Sequence, residues 1–115
     1  MTDCVDFTRI QETSDGDSEF EIELIEMYLE DAKEHLDNIA GQVESGALEA
    51  LKRTAHTLKG SSANIGAIQM QQVSLQIEGA VDEKNMDLIS SLKPSLQQAY
   101  QETEKIYRDY MVTLQ

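Results

Sequence analysis

Phe20-Glu21-Ile22-Glu23-Leu24-Ile25-Glu26-Met27-Tyr28-Leu29-Glu30-Asp31-Ala32-Lys33-Glu34-His35-Leu36-Asp37-Asn38-Ile39-Ala40-Gly41-Gln42-Val43 is the stretch whose spacing decides the fold. Ile22, Ile25, Leu29, Ala32, Leu36, Ile39 and Val43 follow one another at intervals of 3, 4, 3, 4, 3 and 4. That alternation puts them in one stripe along an α-helix, with the polar residues on the remaining faces. Asp17 or Ser18 is placed to cap the helix start, and the acidic residues that follow suit the positive end of its dipole. Ser45-Gly46 supplies the stop.

The same period continues to the end of the chain. Leu48, Leu51, Ala55, Leu58, Ser62 and Ile65 mark a second long helix that ends near Gly66. Met70, Val73, Ile77 and Ala80 or Val81 mark a shorter third, stopping around Asp82 to Asn85. From about Met86, the residues Ile89, Leu92, Leu96, Ala99, Thr103, Ile106 and Tyr110 mark a fourth. Pro94 lies inside that pattern and predicts a kink, because it donates no backbone hydrogen bond and crowds the preceding turn. Residues 4–12 fit a short leading helix, followed by a linker over Thr13 to Asp17. Four amphipathic helices with short connections predict an all-α protein, an antiparallel up-down-up-down four-helix bundle with a short N-terminal helix. The expected organisation is one domain over 1–115, with an N-terminal arm and short helix at 1–17 and the bundle at 18–113. A chain of 115 residues is long enough for one core and too short for two.

Composition narrows the partners. The net charge of −13 repels nucleic acid and anionic membrane surfaces. No apolar run approaches the length of a membrane span, and Met1-Thr2-Asp3-Cys4 lacks the features of a signal peptide. Cys4, the single cysteine, allows no internal disulfide. A cytoplasmic monomer is the expectation. The charge is unevenly spread, however. From Ala50 through Ile77, 28 residues, there is no Asp or Glu, where an even spread of the 22 acidic residues would place about five. Lys52, Arg53, His56 and Lys59 fall in that window, which reads as a site for an anion or an acidic partner surface.

His56 sits about 130° from the apolar centre of its helix at 100° per residue. It should face outward, on a strip with Lys52, Arg53, Gly60, Ala63 and Asn64, bordered by Lys59. Side chains lean toward the helix N-terminus, so the residue at i+4 normally covers residue i. Here that residue is Gly60, which leaves the imidazole uncovered at a helix cost of roughly 1 kcal/mol against Ala. An accessible imidazole beside an ammonium suits nucleophilic phosphoryl transfer. On spacing alone, a surface histidine next to a glycine that admits close helix packing is an equal reading.

The segment His56-Thr57-Leu58-Lys59-Gly60-Ser61-Ser62-Ala63-Asn64-Ile65-Gly66 resembles the signature of the histidine-containing phosphotransfer (HPt) family. That motif is His-x-[Leu/Ile]-Lys-Gly followed six residues later by Gly; the likeness extends to Leu92-Lys93-Pro94-Ser95-Leu96. The resemblance implies a phosphorelay carrier in two-component signalling. His56 would accept a phosphoryl group at Nε2 from a receiver-domain aspartate or a kinase and yield it to another receiver. Lys59 would screen its charge, and Gly60 would keep the approach open. Many family members carry Gln or Glu 22 residues after the histidine to hold its other ring nitrogen, a position occupied here by Glu78, which borders the apolar face next to Ile77. Leu75 replaces the second histidine that some relatives place three residues earlier.

The partners so implied are receiver domains of response regulators and of hybrid histidine kinases. They would dock over Lys52, Arg53, Thr57, Ala63 and Asn64, with an apolar rim from first-helix residues such as Met27 or Tyr28. Catalysis of transfer would belong to the receiver and its metal ion, so the chain itself is expected to be no enzyme and to need no cofactor. Nothing in it resembles a nucleotide-binding glycine loop. No helix carries a Glu-x-x-His or His-x-x-x-His pair, so no metal site is expected, and His35 reads as a solvated surface residue. Two alternatives stand beside the carrier: the phosphoacceptor domain of a chemotaxis-type histidine kinase, favoured by Glu78, and a helical interaction module that is not phosphorylated.

Overall fold

The computed structural model describes residues 4–115. Five helices follow in order: α1 (Phe7–Ser14), α2 (Ser18–Ser45), α3 (Leu48–Ile65), α4 (Ile68–Asp82) and α5 (Met86–Leu114). The first three residues of the expected N-terminal arm lie outside the described residues. Each of α2 to α5 packs on its neighbours in sequence, and α5 closes back on α2, while α1 lies against α2 and α3. Cross-helix pairs fix the antiparallel register. His56 meets Glu78 and Lys52 meets Asp82 between α3 and α4. Tyr100 and Tyr110 reach Leu29 and Glu21 between α5 and α2. The protein is all-α, an antiparallel four-helix bundle with a short N-terminal helix.

Local chemistry sets the helix boundaries. Asp17 is the cap of α2, accepting a hydrogen bond from the Phe20 amide at 3.2 Å. Asn85 does the same for α5 through Leu88 N–H at 3.1 Å. Gly46 and Gly66 end α2 and α3 in the left-handed region, at φ +71° and +87°. Gly66 is needed for a second reason. A Cβ there would lie 2.1 Å from the Asp6 carbonyl oxygen. The bare backbone instead lets the arm dock, with Asp6 N–H donating to the Gly66 carbonyl at 2.7 Å and Gln69 N–H to that of Cys4 at 3.3 Å.

The leading helix runs from Phe7 to Ser14 rather than over 4–12, because Asp6 caps it through Thr8 N–H at 3.0 Å. Pro94 lies inside α5, which runs as one helix from Met86 to Leu114. Pro94 and Ser90 both face solvent, so water can serve the carbonyl that the proline deprives of a donor. Near the end of α5 the buried face is Thr103, Tyr107 and Met111, whereas Ile106 and Tyr110 are only partly covered. The shift follows from α1. Phe7 stacks on Tyr110 at 4.2 Å and meets Tyr107 edge-on at 6.0 Å, so a wider arc of α5 is covered there.

Candidate functional site

Leu51, Ala55, Leu58, Ser62 and Ile65 turn into the core and carry α3 with them. The opposite face is therefore left outward, and the His56 side chain is 67% exposed. Its Nδ1 lies 3.1 Å from Oε2 of Glu78 on α4. Glu78 is nearly buried, and its other oxygen, Oε1, is 2.8 Å from Nζ of Lys59. The latter is a close ion pair that falls short of an aligned hydrogen bond, leaving Oε1 otherwise unpartnered. One carboxylate thus bridges the imidazole and the ammonium, which stand one turn apart on α3.

The bridge sets the carboxylate's charge. Burial works to raise the Glu78 carboxyl, but the Lys59 and His56 contacts outweigh it and hold the group below its ordinary value. An ionised Glu78 accepts from Nδ1–H, so of the two neutral tautomers the one with its proton on Nδ1 is favoured. Nε2 is then the lone-pair nitrogen, and among the described residues it has no hydrogen-bond partner. At Gly60, one turn on, an added Cβ would meet nothing within 4 Å, so the space beside the ring is open.

The remaining strip differs from a basic patch. Lys52 forms an ion pair with Asp82 of α4, whose hydrogen bond and charge raise the Lys52 ammonium above its ordinary value. Lys59 is paired with Glu78. Arg53 and Thr57 line a depression of about 440 Å³ with His56, Lys52, Glu49 and Glu78. Ala63 is partly covered, and Asn64 borders a different groove toward α2. The window free of acid in sequence is therefore not free of acid in space, because α4 lays Glu78 and Asp82 along it. Met27 is exposed at 67%, but Tyr28 is 6% exposed and no part of a rim. Its hydroxyl turns inward and shares a 2.7 Å hydrogen bond with Ser62. His35 is also less solvated than expected: its side chain is 19% exposed, with Nε2 3.3 Å from Asp31 Oδ2. Glu21, which no sequence signal singled out, is buried against the Tyr110 hydroxyl at 2.7 Å and helps to close the bundle end.

A protein-family model described as the Hpt domain matches residues 23–106. The phosphorelay intermediate protein rdeA of Dictyostelium discoideum is 31% identical over 97 residues. The match takes in 84% of this chain and 38% of that protein, so the chain spans well under half the relative's length. Among solved structures, histidine-containing phosphotransfer protein B from Pseudomonas aeruginosa PAO1 superposes with a TM-score of 0.90 at 17% identity, covering 98% of both chains. Histidine-containing phosphotransfer protein MtHPt2 from Medicago truncatula gives 0.81 at 26% identity, covering 96% of this chain and 78% of the other. The family model takes in α3 and α4 entire and nearly all of the bundle; with its helix order and the His-x-Leu-Lys-Gly segment on the outer face of α3, this chain belongs to the Hpt domain family.

Proposed function

We propose that this chain is a phosphorelay carrier that receives a phosphoryl group on Nε2 of His56 and passes it to or from an aspartate of a receiver domain. The observation that carries this reading is the anchored and exposed imidazole: Nδ1 held by Glu78 at 3.1 Å, the side chain 67% exposed. The Nε2 lone pair attacks the phosphorus of an aspartyl phosphate. An N–P bond forms as the P–O bond to the aspartyl carboxylate breaks, and that carboxylate leaves with the electron pair. The ring keeps its Nδ1 proton and becomes a cation facing the Glu78 carboxylate, which stabilises it. Lys59 moves its ammonium from Glu78 to the phosphoryl oxygens. Transfer onward reverses these steps. Receiver domains of response regulators and hybrid histidine kinases are the partners, and they supply the metal ion and the catalytic aspartates.

In this reading the chain acts as one domain and as a monomer in the cytoplasm, a substrate and carrier without kinase or phosphatase activity of its own. The test is incubation with receiver domains previously phosphorylated by acetyl phosphate. The chain should gain one acid-labile phosphate by mass spectrometry at neutral pH, and His56→Gln should gain none. Label persisting in His56→Gln would refute the assignment.

A further inference from the structure

Three buried side-chain oxygens among the described residues lack a hydrogen-bond partner: Gln42 Oε1, Ser74 Oγ and Glu78 Oε1. The last two stand one turn apart on α4. Ser74 is fully buried. Every other buried hydroxyl among the described residues has a partner, as Ser62 has Tyr28 and Tyr107 has the Ile65 carbonyl. Ser74, Glu78 and Asp82 form one row at intervals of four, on the flank of α4 that faces α3. Asp82 meets Lys52, and Glu78 meets His56 and Lys59. The antiparallel register therefore carries Ser74 further into the same seam, toward the C-terminal end of α3. Helical side chains lean toward the N-terminus, so the Glu78 carboxylate reaches back over Ser74 and not over Asp82.

We propose that Ser74 is a positioning residue for the phosphoryl transfer: its hydroxyl donates to Oε1 of Glu78 when Lys59 turns to the phosphoryl group, and so keeps the carboxylate on Nδ1 of His56. The proposal rests on the carrier reading and deepens it. In the unphosphorylated chain Lys59 Nζ lies 2.8 Å from Oε1 and balances its charge. Transfer draws that ammonium away. Oε1 is then a buried carboxylate oxygen without a cation, just as Glu78 has to hold a cationic ring. A buried acceptor stripped of its donor is costly, and a charged one more so. The Ser74 hydroxyl is one turn away, buried and without an acceptor of its own. Turning it to Oε1 satisfies both atoms at once.

The test is a double-mutant cycle with Lys59→Met, which keeps the apolar stem and removes the ammonium, as phosphorylation would. Urea unfolding of the unphosphorylated chain at neutral pH comes first. Ser74→Ala alone should leave the midpoint unchanged or raise it, because Lys59 still serves Oε1. In the Lys59→Met background the same change should lower the midpoint. The Glu78 carboxyl resonance, titrated by 13C NMR, should keep its midpoint in Ser74→Ala. It should move up in the double variant relative to Lys59→Met, since the last donor to the ionised form is gone. Equal urea shifts in both backgrounds, or a carboxyl midpoint that Ser74→Ala fails to move in Lys59→Met, would mean that Ser74 only packs α4 on α3. Either result overturns the proposal. The second measurement uses the phosphorylated receiver domain that labels the wild-type chain. With Ser74→Ala, the equilibrium ratio of phosphohistidine to aspartyl phosphate should fall about tenfold. A ratio equal to that of wild type would overturn the proposal and leave the carrier reading intact. If no receiver domain labels wild-type His56, the carrier reading fails and this role of Ser74 with it.

Discussion

The chain has two histidines, each within reach of a carboxylate, and they are built in opposite senses. At His56 the imidazole is 67% exposed and the Glu78 side chain 12%. At His35 the imidazole is 19% exposed and Asp31 55%. The nitrogens are reversed as well: Glu78 takes Nδ1 of His56, whereas Asp31 takes Nε2 of His35. A ring held by Nδ1 from a buried carboxylate on another helix projects a free Nε2. A ring folded onto its own helix, with Nε2 occupied at i+4, projects nothing. The structural difference between the two histidines lies in which partner is buried, and on which nitrogen.

The sharpest way to break that comparison is to exchange the residues one at a time. His56→Gln should lose all phosphoryl label, while His35→Gln should be labelled at the wild-type rate by the same phosphorylated receiver domain. Comparable losses in both would mean that the two sites are not distinct.

Covering the exposed ring is the next strongest perturbation. Gly60→Gln places a side chain over His56 where a Cβ meets nothing. Transfer should fall by at least about tenfold, as a misplaced approach to a reacting atom does. Urea unfolding should show equal or greater stability, by about 0.5–1 kcal/mol, because a helical glycine has been replaced. Normal transfer by a folded Gly60→Gln protein would remove the steric role of the glycine.

Loss of the anchor should act more mildly and leave a pH signature. Glu78→Gln should slow transfer several-fold, since a neutral amide stabilises the cationic phosphoimidazole less. The Glu78 carboxyl is held below its ordinary value of 4.5. A depressed folded-state pKa contributes stability above the unfolded pKa and loses it as pH falls through the folded one. The stability gap between wild type and Glu78→Gln, followed by urea midpoint, should therefore close as the pH drops below about 4.5. A gap independent of pH would mean that Glu78 acts through packing alone.

The smallest effect belongs to Lys52. It is half exposed and already paired with Asp82, so Lys52→Ala should alter transfer by less than about twofold. A large loss would restore a basic docking strip to the picture.

Helix number, the boundaries of the four bundle helices and the outward turn of His56 were legible because they depend on spacing along one helix. The stripe from Ile22 to Val43, the stops at Gly46 and Gly66 and the capping role of Asp17 all belong to that class. Relations between helices were not legible in the same way. The gap in acidic residues from Ala50 to Ile77 reads as a basic patch only until α4 folds alongside and lays Glu78 and Asp82 against Lys59 and Lys52. The burial of Tyr28 depended on Ser62 offering a hydroxyl inside the core, which spacing does not reveal. The seat of the N-terminal arm on Gly66 likewise joins residues 60 positions apart. Glu78 was reached through family resemblance, with only its place beside Ile77 as support from the residues themselves.

The asymmetry of the His56 ring is tested most directly by 15N NMR of the histidine-labelled chain before and after phosphorylation by a receiver domain. Before transfer, the His56 ring should show the tautomer protonated on Nδ1. Afterwards the phosphorus coupling should appear on Nε2 of His56, with the His35 resonances unmoved. Phosphate on Nδ1 of His56, or on His35, would contradict the account.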